Sequence, residues 1–337
     1  MKTAFRVFSS LSLLLLCAQA EPGEKPVDVP DEIQKITVTA RPLEGFYPVK
    51  VLNEDVLEWV GGVDLSSAAK GFGGFSALSV GANGRDILAI SDGGVWMTFH
   101  LQTDGEIPSS ISNAQLAPLK NPAGKSVSGE QRGDAESFGL QNGQAVIGFE
   151  GADVIWSYPF AADGSLGVPH AIPVPDDVKK LRFTRGLESI AVFPPSSRYA
   201  GALLAIGESP VRGEENLRAW IIGGTNFRRL TILPHDGFQV TDAAFLDDGT
   251  LLMLERRFLP PFGITARIRR VNGADIAGGA RLDGELIFEA RLGAPIDNME
   301  GMSVHKGADG ASYVTLISDD NYNVFQRTLL LRFRYKK

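Results

Sequence analysis

Cysteine is almost missing: Cys17 is the single one among 337 residues, and it falls in the N-terminal leader described below. The mature chain therefore has neither disulfides nor thiol chemistry. Basic residues are in deficit, 33 Lys and Arg against 40 Asp and Glu, for a formal charge of −7. That balance excludes a nucleic-acid partner, which needs a basic stripe, and suits binding of a cation. No apolar run is long enough to span a bilayer. Helical periodicity is nearly absent, with room for one helical turn around residues 175–181. There is no G-x-S-x-G elbow, no G-x-x-x-x-G-K-[ST] loop and no H-E-x-x-H helix. The four histidines, His100, His170, His235 and His305, lie far apart without metal-ligand spacing. His305 follows an apolar run and reads either as a base or as a surface histidine in a turn.

What the chain does have is turns. Thirty-eight glycines and 19 prolines punctuate a sequence that is 44% hydrophobic, a composition that favours many short strands. Residues 1–20 read as a signal peptide: Lys2 and Arg6 at the positive end, leucines at 11–16 in the apolar centre, and Ala18-Gln19-Ala20 as the small-x-small cleavage site. Cleavage after Ala20 implies a periplasmic or secreted protein. Residues 21–44, rich in Pro and Glu, read as a flexible leader, and residues 45–337 as one propeller-like domain.

One pattern recurs five times. An apolar run opened by Ser76, Glu136, Glu188, Asp242 or Glu300 leads through a Gly-, Asp- or Pro-rich turn into a second apolar run, which ends at Asp92, Glu150, Glu208, Glu255 or Asp319. The opening residues are 60, 52, 54 and 58 positions apart. Trp96 and Trp156 each fall 20 residues after their anchors, which supports the register independently of the acids. Two more strand-like runs follow in each of the first four units. Four strands in about 55 residues describe a propeller blade. The all-β expectation is a β-propeller of five four-stranded blades, with a sixth left open to irregular segments. The last unit has three strands, and residues 56–60 would supply its fourth. Closing the ring with strands from both termini removes the open sheet edge.

In such a ring the first strand of each blade lines the axis. An acid repeated at the same place in several blades then meets its counterparts at one mouth. The expected mouth carries Glu136, Glu188, Asp242 and Glu300 from first strands, and Asp92, Glu150, Glu208, Glu255 and Asp319 from second strands. Close carboxylates repel and raise one another's pKa, so something must offset them. One candidate is Ca²⁺, which takes six to eight oxygen ligands. The candidate metal ligands are Asp92, Glu136, Glu188, Asp242, Glu255, Glu300 and Asp319. The other candidate is arginine: Arg132, Arg185, Arg256 and Arg257 adjoin these acids in sequence. Purely structural acids that bind backbone amides between blades are the competing interpretation. The four tryptophans, Trp59, Trp96, Trp156 and Trp220, read most simply as core between blades.

The motifs resemble a family. Gly74-Phe75-Ser76-Ala77-Leu78, Ile90-Ser91-Asp92-Gly93-Gly94, Asp134-Ala135-Glu136-Ser137, Arg185-Gly186-Leu187-Glu188-Ser189, Thr241-Asp242-Ala243 with Leu254-Glu255-Arg256, and Met299-Glu300-Gly301-Met302 with Ile317-Ser318-Asp319-Asp320-Asn321 are similar to the phytase-like, "esterase-like activity of phytase" family of exported bacterial proteins. The resemblance covers about residue 72 to the C-terminus. It implies a β-propeller and hydrolysis of phosphate or other esters. Three functions are consistent with these residues. A metal-assisted esterase or phosphatase would use mouth-bound Ca²⁺, Arg132, Arg185 and Arg256 on developing negative charge, and Glu188 or Glu300 as base. A lactonase-like hydrolase would use a similar Ca²⁺ and a more apolar mouth. A non-catalytic propeller would bind a small ligand or a protein. The expected partner of the enzyme is a small-molecule ester or phosphate, and the expected state is a monomer.

Overall fold

The computed structural model describes residues 29–47, 51–53, 55–129, 133–152, 154–161, 163–183, 186–260, 263–291 and 293–336. Residues 1–20, read above as a signal peptide, the stretch 21–28, Arg132 and Arg185 lie outside the described residues. Within them the chain is all-β, with short 3₁₀ turns such as Asp176–Phe183 where the sequence allows one helical turn.

Five antiparallel sheets form a ring of blades. Blade 1 is Phe75–Val80, Asp86–Ser91, Val95–Asp104 and Ile107–Pro118. Blade 2 is Ala135–Gln141, Gln144–Phe149, Val154–Pro159 and His170–Ile172. Blade 3 is Leu187–Val192, Leu203–Gly207, Leu217–Gly223 and Asn226–Ile232. Blade 4 is Gln239–Phe245, Leu251–Leu259, Gly263–Val271 and Glu285–Arg291. Blade 5 joins Asn298–Lys306, Ser312–Asp319 and Thr328–Tyr335 to the N-terminal strand Leu57–Ser66. That last strand pairs antiparallel with the C-terminal one, from Leu57 opposite Tyr335 to Leu65 opposite Thr328. The ring thus closes with strands from both termini, and the closing strand is longer than the run 56–60 that announces it in the sequence.

The inner strands pack on one another in a circle. Phe75–Val80 meets Ala135–Gln141, which meets Leu187–Val192, then Gln239–Phe245, then Asn298–Lys306, which returns to Phe75–Val80. Each blade is buried on both faces, which is why its inner strands read as continuous apolar runs rather than alternating ones. The buried side chains sort into five clusters, one per blade interface. Phe138 and Phe149 meet Ile90 and Trp96 between blades 1 and 2, for example. Phe288, Met299, Leu316 and Phe333 fill the interface of blades 4 and 5. Trp96 and Trp220 are fully buried, and Trp59 and Trp156 pack on Phe46 and Phe149.

Part of the stretch read as a leader is not free. Gln34–Lys35 pairs with the outer strand of blade 1, Thr39–Pro42 with Leu57–Ser66 of blade 5, and Val51–Leu52 with the outer strand of blade 4. The N-terminal segment therefore runs across the outer edges of three neighbouring blades before entering the ring, covering edges that would otherwise template aggregation.

Candidate functional site

Every inner strand starts at the same end of the ring and every second strand returns there. At that end each inner strand carries a bulge, in which one residue is left out of the pairing. The residue left out is Ser76, Glu136, Glu188, Thr241 and Glu300 in blades 1 to 5. The matching position at the end of the second strand is found from the backbone partner. Asp92 pairs its N–H with Gly74, Glu150 with Asp134 and Glu208 with Gly186, while Arg256 stands opposite Gln239 and Asp319 opposite Asn298. Bulges re-aim side chains, and here they turn a ring of charged groups toward one mouth.

Seven of the nine expected carboxylates meet there: Asp92, Glu136, Glu150, Glu188, Glu208, Glu300 and Asp319. Their proximity is visible in their mutual electrostatics. Burial first, then the charges of Glu188, Asp134, Asp92 and Glu300, push Glu136 well above the ordinary carboxylate range. Glu188 is raised by burial and then by Glu208, Glu300 and Glu150, with Arg256 opposing. Asp319 is raised by burial, then by Asp92 and Glu300. Asp134 joins them: one oxygen each from Asp92, Asp134 and Glu136 lie within 4.8 Å of one another.

Blade 4 departs from the expected pattern in register, at both of its expected ligands. Asp242 lies one residue past the bulge. Its carboxylate accepts the amides of Ala243 and Met302 at 2.7 Å each and the Ser189 hydroxyl at 3.4 Å, tying blades 3, 4 and 5. Glu255 lies one residue before the mouth position and is only 1% exposed. It accepts Arg267 Nε at 2.5 Å, Arg269 Nε at 2.9 Å and Arg269 Nη2 at 2.5 Å, an ion-pair cluster on the face of the blade. Neither points a free oxygen at the mouth. Thr241 and Arg256 stand where the other blades place carboxylates or Ser76.

Among the described residues, Arg256 is thus the guanidinium set among these acids. Its Nη1 donates to Asn298 Oδ1 at 2.6 Å, and its Nη2 lies 3.1 Å from Glu300 Oε1 and 3.8 Å from Glu208 Oε1. Burial works against its charge, but Glu300, Glu208, Glu188 and Asp319 more than offset it. Asn298 also donates to Glu300 Oε1 at 2.8 Å and to Asp319 Oδ2 at 3.4 Å. Arg257 turns away instead, donating to the Asp236 carbonyl and lying over the Phe238 ring.

Two features have no sequence forecast. The phenol of Tyr322, in the loop after Asp319, reaches Ser91 Oγ at 2.5 Å beside Asp92. Burial, then Asp92, raises its pKa. Two loops at this end of the ring, that of Tyr322 among them, carry exposed apolar side chains. Val324 and Phe325 are 92% and 85% exposed on that loop, and Phe258 and Leu259 are half exposed on the hairpin that carries Arg256 upward. His305 is not part of the site. It sits five residues along the inner strand from Glu300, about 17 Å away, 6% exposed, stacked on Tyr313. Burial, then Arg332, pushes its pKa down to about 3. It is neither a mouth base nor a surface turn residue.

A family model described as "Phytase-like: Esterase-like activity of phytase" matches residues 70–322. Among solved structures, "The crystal structure of a functionally unknown protein from Desulfotomaculum acetoxidans DSM 771" is 12% identical, covers 78% of this chain and 74% of that chain, and has a TM-score of 0.33. No curated protein matches.

Proposed function

This chain belongs to the phytase-like family, and from that premise we propose that it is an exported hydrolase of phosphate or carboxylic esters, with its site at the acidic mouth and Ca²⁺ as its cofactor. The observation that carries this reading is the convergence of Asp92, Asp134 and Glu136. Their donors are all hard carboxylate oxygens, a set suited to Ca²⁺ and unsuited to soft metals. Asp92, Asp134 and Glu136 would hold the cation, with Asp319 and Glu300 in reach of the same charges. Bound there, Ca²⁺ would offset the carboxylate repulsion and polarise the ester oxygen.

The chain's own groups divide the remaining work. Glu188 is the general base: its raised pKa brings its proton affinity toward the working range for accepting a proton from water. Arg256 presents the charge that favours a developing oxyanion. Glu300 and Asn298 fix the direction of that guanidinium through the contacts at 3.1 and 2.6 Å. Arg132 and Arg185 belong to this group by sequence position alone.

The substrate class follows from charge and exposure. Among the described residues, the mouth holds Arg256 against eight carboxylates, so a highly charged polyphosphate would be repelled. The exposed Val324, Phe325, Phe258 and Leu259 on the rim favour an ester with one anionic or neutral head and an apolar remainder. The test is hydrolysis of aryl phosphates, aryl carboxylates and lactones by purified protein, with Ca²⁺ and with chelator. Turnover that chelation abolishes and Ca²⁺ restores is expected. Chelator-insensitive turnover would sink the metal role. A Ca²⁺-dependent thermal shift without turnover on any ester would favour the binding propeller.

A further inference from the structure

We propose that Tyr322 is a catalytic residue of this site, its phenol O–H donating a hydrogen bond to the ester oxygen on which negative charge builds. The proposal rests on the hydrolase reading above and adds a residue to it. Three features of the backbone show that the ring position is built rather than incidental.

First, Asn321 and Tyr322 are consecutive residues in the left-handed region, at φ of 47° and 50°. Asn tolerates this conformation, but for a bulky aromatic it is strained, and such strain persists only where surrounding contacts hold it. Second, those contacts exist. Asp320 Oδ1 accepts the amides of Tyr322 at 3.0 Å and Gly74 at 2.9 Å, while its Oδ2 accepts the Thr328 hydroxyl at 2.8 Å. One carboxylate thus clasps the loop of blade 5 to the start of blade 1. Third, the ring lies against a glycine. Gly74 has φ of 63°, and a Cβ there would fall 2.5 Å from two Tyr322 ring carbons and nearer still to Asp92 Oδ1. The lack of a side chain at 74 lets the phenol and the Asp92 carboxylate share one corner of the mouth.

The hydroxyl is directed by its partner. Ser91 is fully buried, and its Oγ already receives the Gly93 amide at 3.0 Å. Either hydroxyl can donate in this pair; the proposal takes Ser91 as the donor to the phenol oxygen, the orientation that leaves the phenol's own proton for the mouth. At this corner, beside Asp92 of the proposed cation cluster, Tyr322 supplies a neutral donor among acceptors. A mouth of carboxylates can receive protons and hold a cation, but it has few groups to donate to a leaving oxygen. Arg256 lies on the blade 4 side, and Tyr322 on the blade 1 side.

Tyr322→Phe keeps the ring in its glycine cradle and removes one oxygen. The measurement is kcat for a series of esters that differ in leaving-group basicity, using the phosphate or carboxylate series that the wild type hydrolyses, together with Tm and the Kd for Ca²⁺. The expected result is a fall in kcat of about tenfold or more for the most basic leaving groups and a smaller fall for the most acidic, with Tm and Ca²⁺ affinity unchanged. Ser91→Ala, which removes the partner that turns the phenol, should shift the leaving-group dependence in the same direction by a smaller amount, since the phenol proton itself remains. The proposal is overturned if Tyr322→Phe turns over every ester within threefold of wild type, or if Ser91→Ala steepens the dependence more than Tyr322→Phe does. A wild type inert toward every ester overturns the hydrolase reading itself, a result distinct from either.

Discussion

Blades 4 and 5 are neighbours with near-identical strand plans and opposite uses for their acids. In blade 5 the bulged residue is Glu300 and the second strand ends at Asp319, both among the mouth charges. In blade 4 the same two positions hold Thr241 and Arg256, and the adjoining acids Asp242 and Glu255 are spent on the scaffold. A shift of one residue along a strand reverses the side-chain direction. A carboxylate that would be a ligand becomes a clamp. The lesson is that in this ring a charged group's role follows from its register against the bulge rather than from its residue type.

The sharpest way to break that contrast is to remove one acid of each kind. Glu255→Ala leaves Arg267 and Arg269 buried without their shared carboxylate. Stripping one partner from a buried ion pair costs about 3–5 kcal/mol. Chemical denaturation should show a loss of that size, with Ca²⁺ affinity intact in the folded fraction. Glu300→Gln should do the reverse, lowering turnover with little loss of stability. Equal stability losses in the two variants would mean that register does not separate their roles.

Much of this architecture is legible in the sequence, for a physical reason. Turn-bounded apolar runs are what strands buried on both faces must look like, and the repeat spacing survives because each blade needs the same strand lengths. Glu136, Glu188, Glu300, Asp92 and Asp319 are likewise legible, since a bulge recurs at the second or third residue of each inner strand. Blade 4 is not. Thr241-Asp242 and Glu255-Arg256 each set an acid beside the mouth position, and only backbone pairing decides between neighbours. The edge strands Gln34–Lys35 and Val51–Leu52 are equally silent, being two-residue pairings formed by tertiary contact. Tyr322 carried no signal because its place depends on a left-handed backbone and on Gly74, 248 residues earlier in the chain.

Asp242→Ala is the next largest effect. It orphans the Ala243 and Met302 amides, and a buried unsatisfied donor costs about 1–3 kcal/mol. The loss should appear as faster hydrogen exchange at Met302, across the interface of blades 4 and 5, with the chelator response of turnover retained. A variant that lost Ca²⁺ binding and kept its stability would return Asp242 to the ligand set.

Glu188→Gln should sharpen the contrast in the opposite direction, because a mouth acid is a burden to the fold. The folded carboxyl has its pKa raised above its unfolded value. The folded state therefore binds the proton more tightly. That favourable contribution is complete below the unfolded pKa, in the ordinary carboxylate range, and is lost as pH rises through the folded pKa. Gln cannot ionise, so without metal the variant should melt above wild type at pH 7, by roughly 2–4 °C, and the gap should close near pH 4. Added Ca²⁺ should stabilise both forms, since Asp92, Asp134 and Glu136 are intact, and should narrow the gap at pH 7 because its charge also offsets the Glu188 carboxylate in wild type. A gap that is independent of pH would show that charge is not its source.

Thr241→Val is the smallest effect and tests the blade 4 position itself. The Thr241 hydroxyl donates to the Met299 carbonyl at 3.2 Å, a neutral bond between the inner strands of blades 4 and 5. Valine keeps the β-branched shape that suits a buried strand and removes only that donor. A neutral hydrogen bond contributes about 0.5–1.5 kcal/mol net, and the carbonyl oxygen retains a second lone pair for other donors, so the loss should sit at the low end. If Thr241 is a scaffold residue in a carboxylate's place, kcat and Ca²⁺ affinity stay at wild-type values while Tm drops by a degree or two. A fall in Ca²⁺ affinity greater than the stability change would place the hydroxyl oxygen in the cation's shell, and would make blade 4 a contributor to the mouth through a neutral ligand rather than an exception to it.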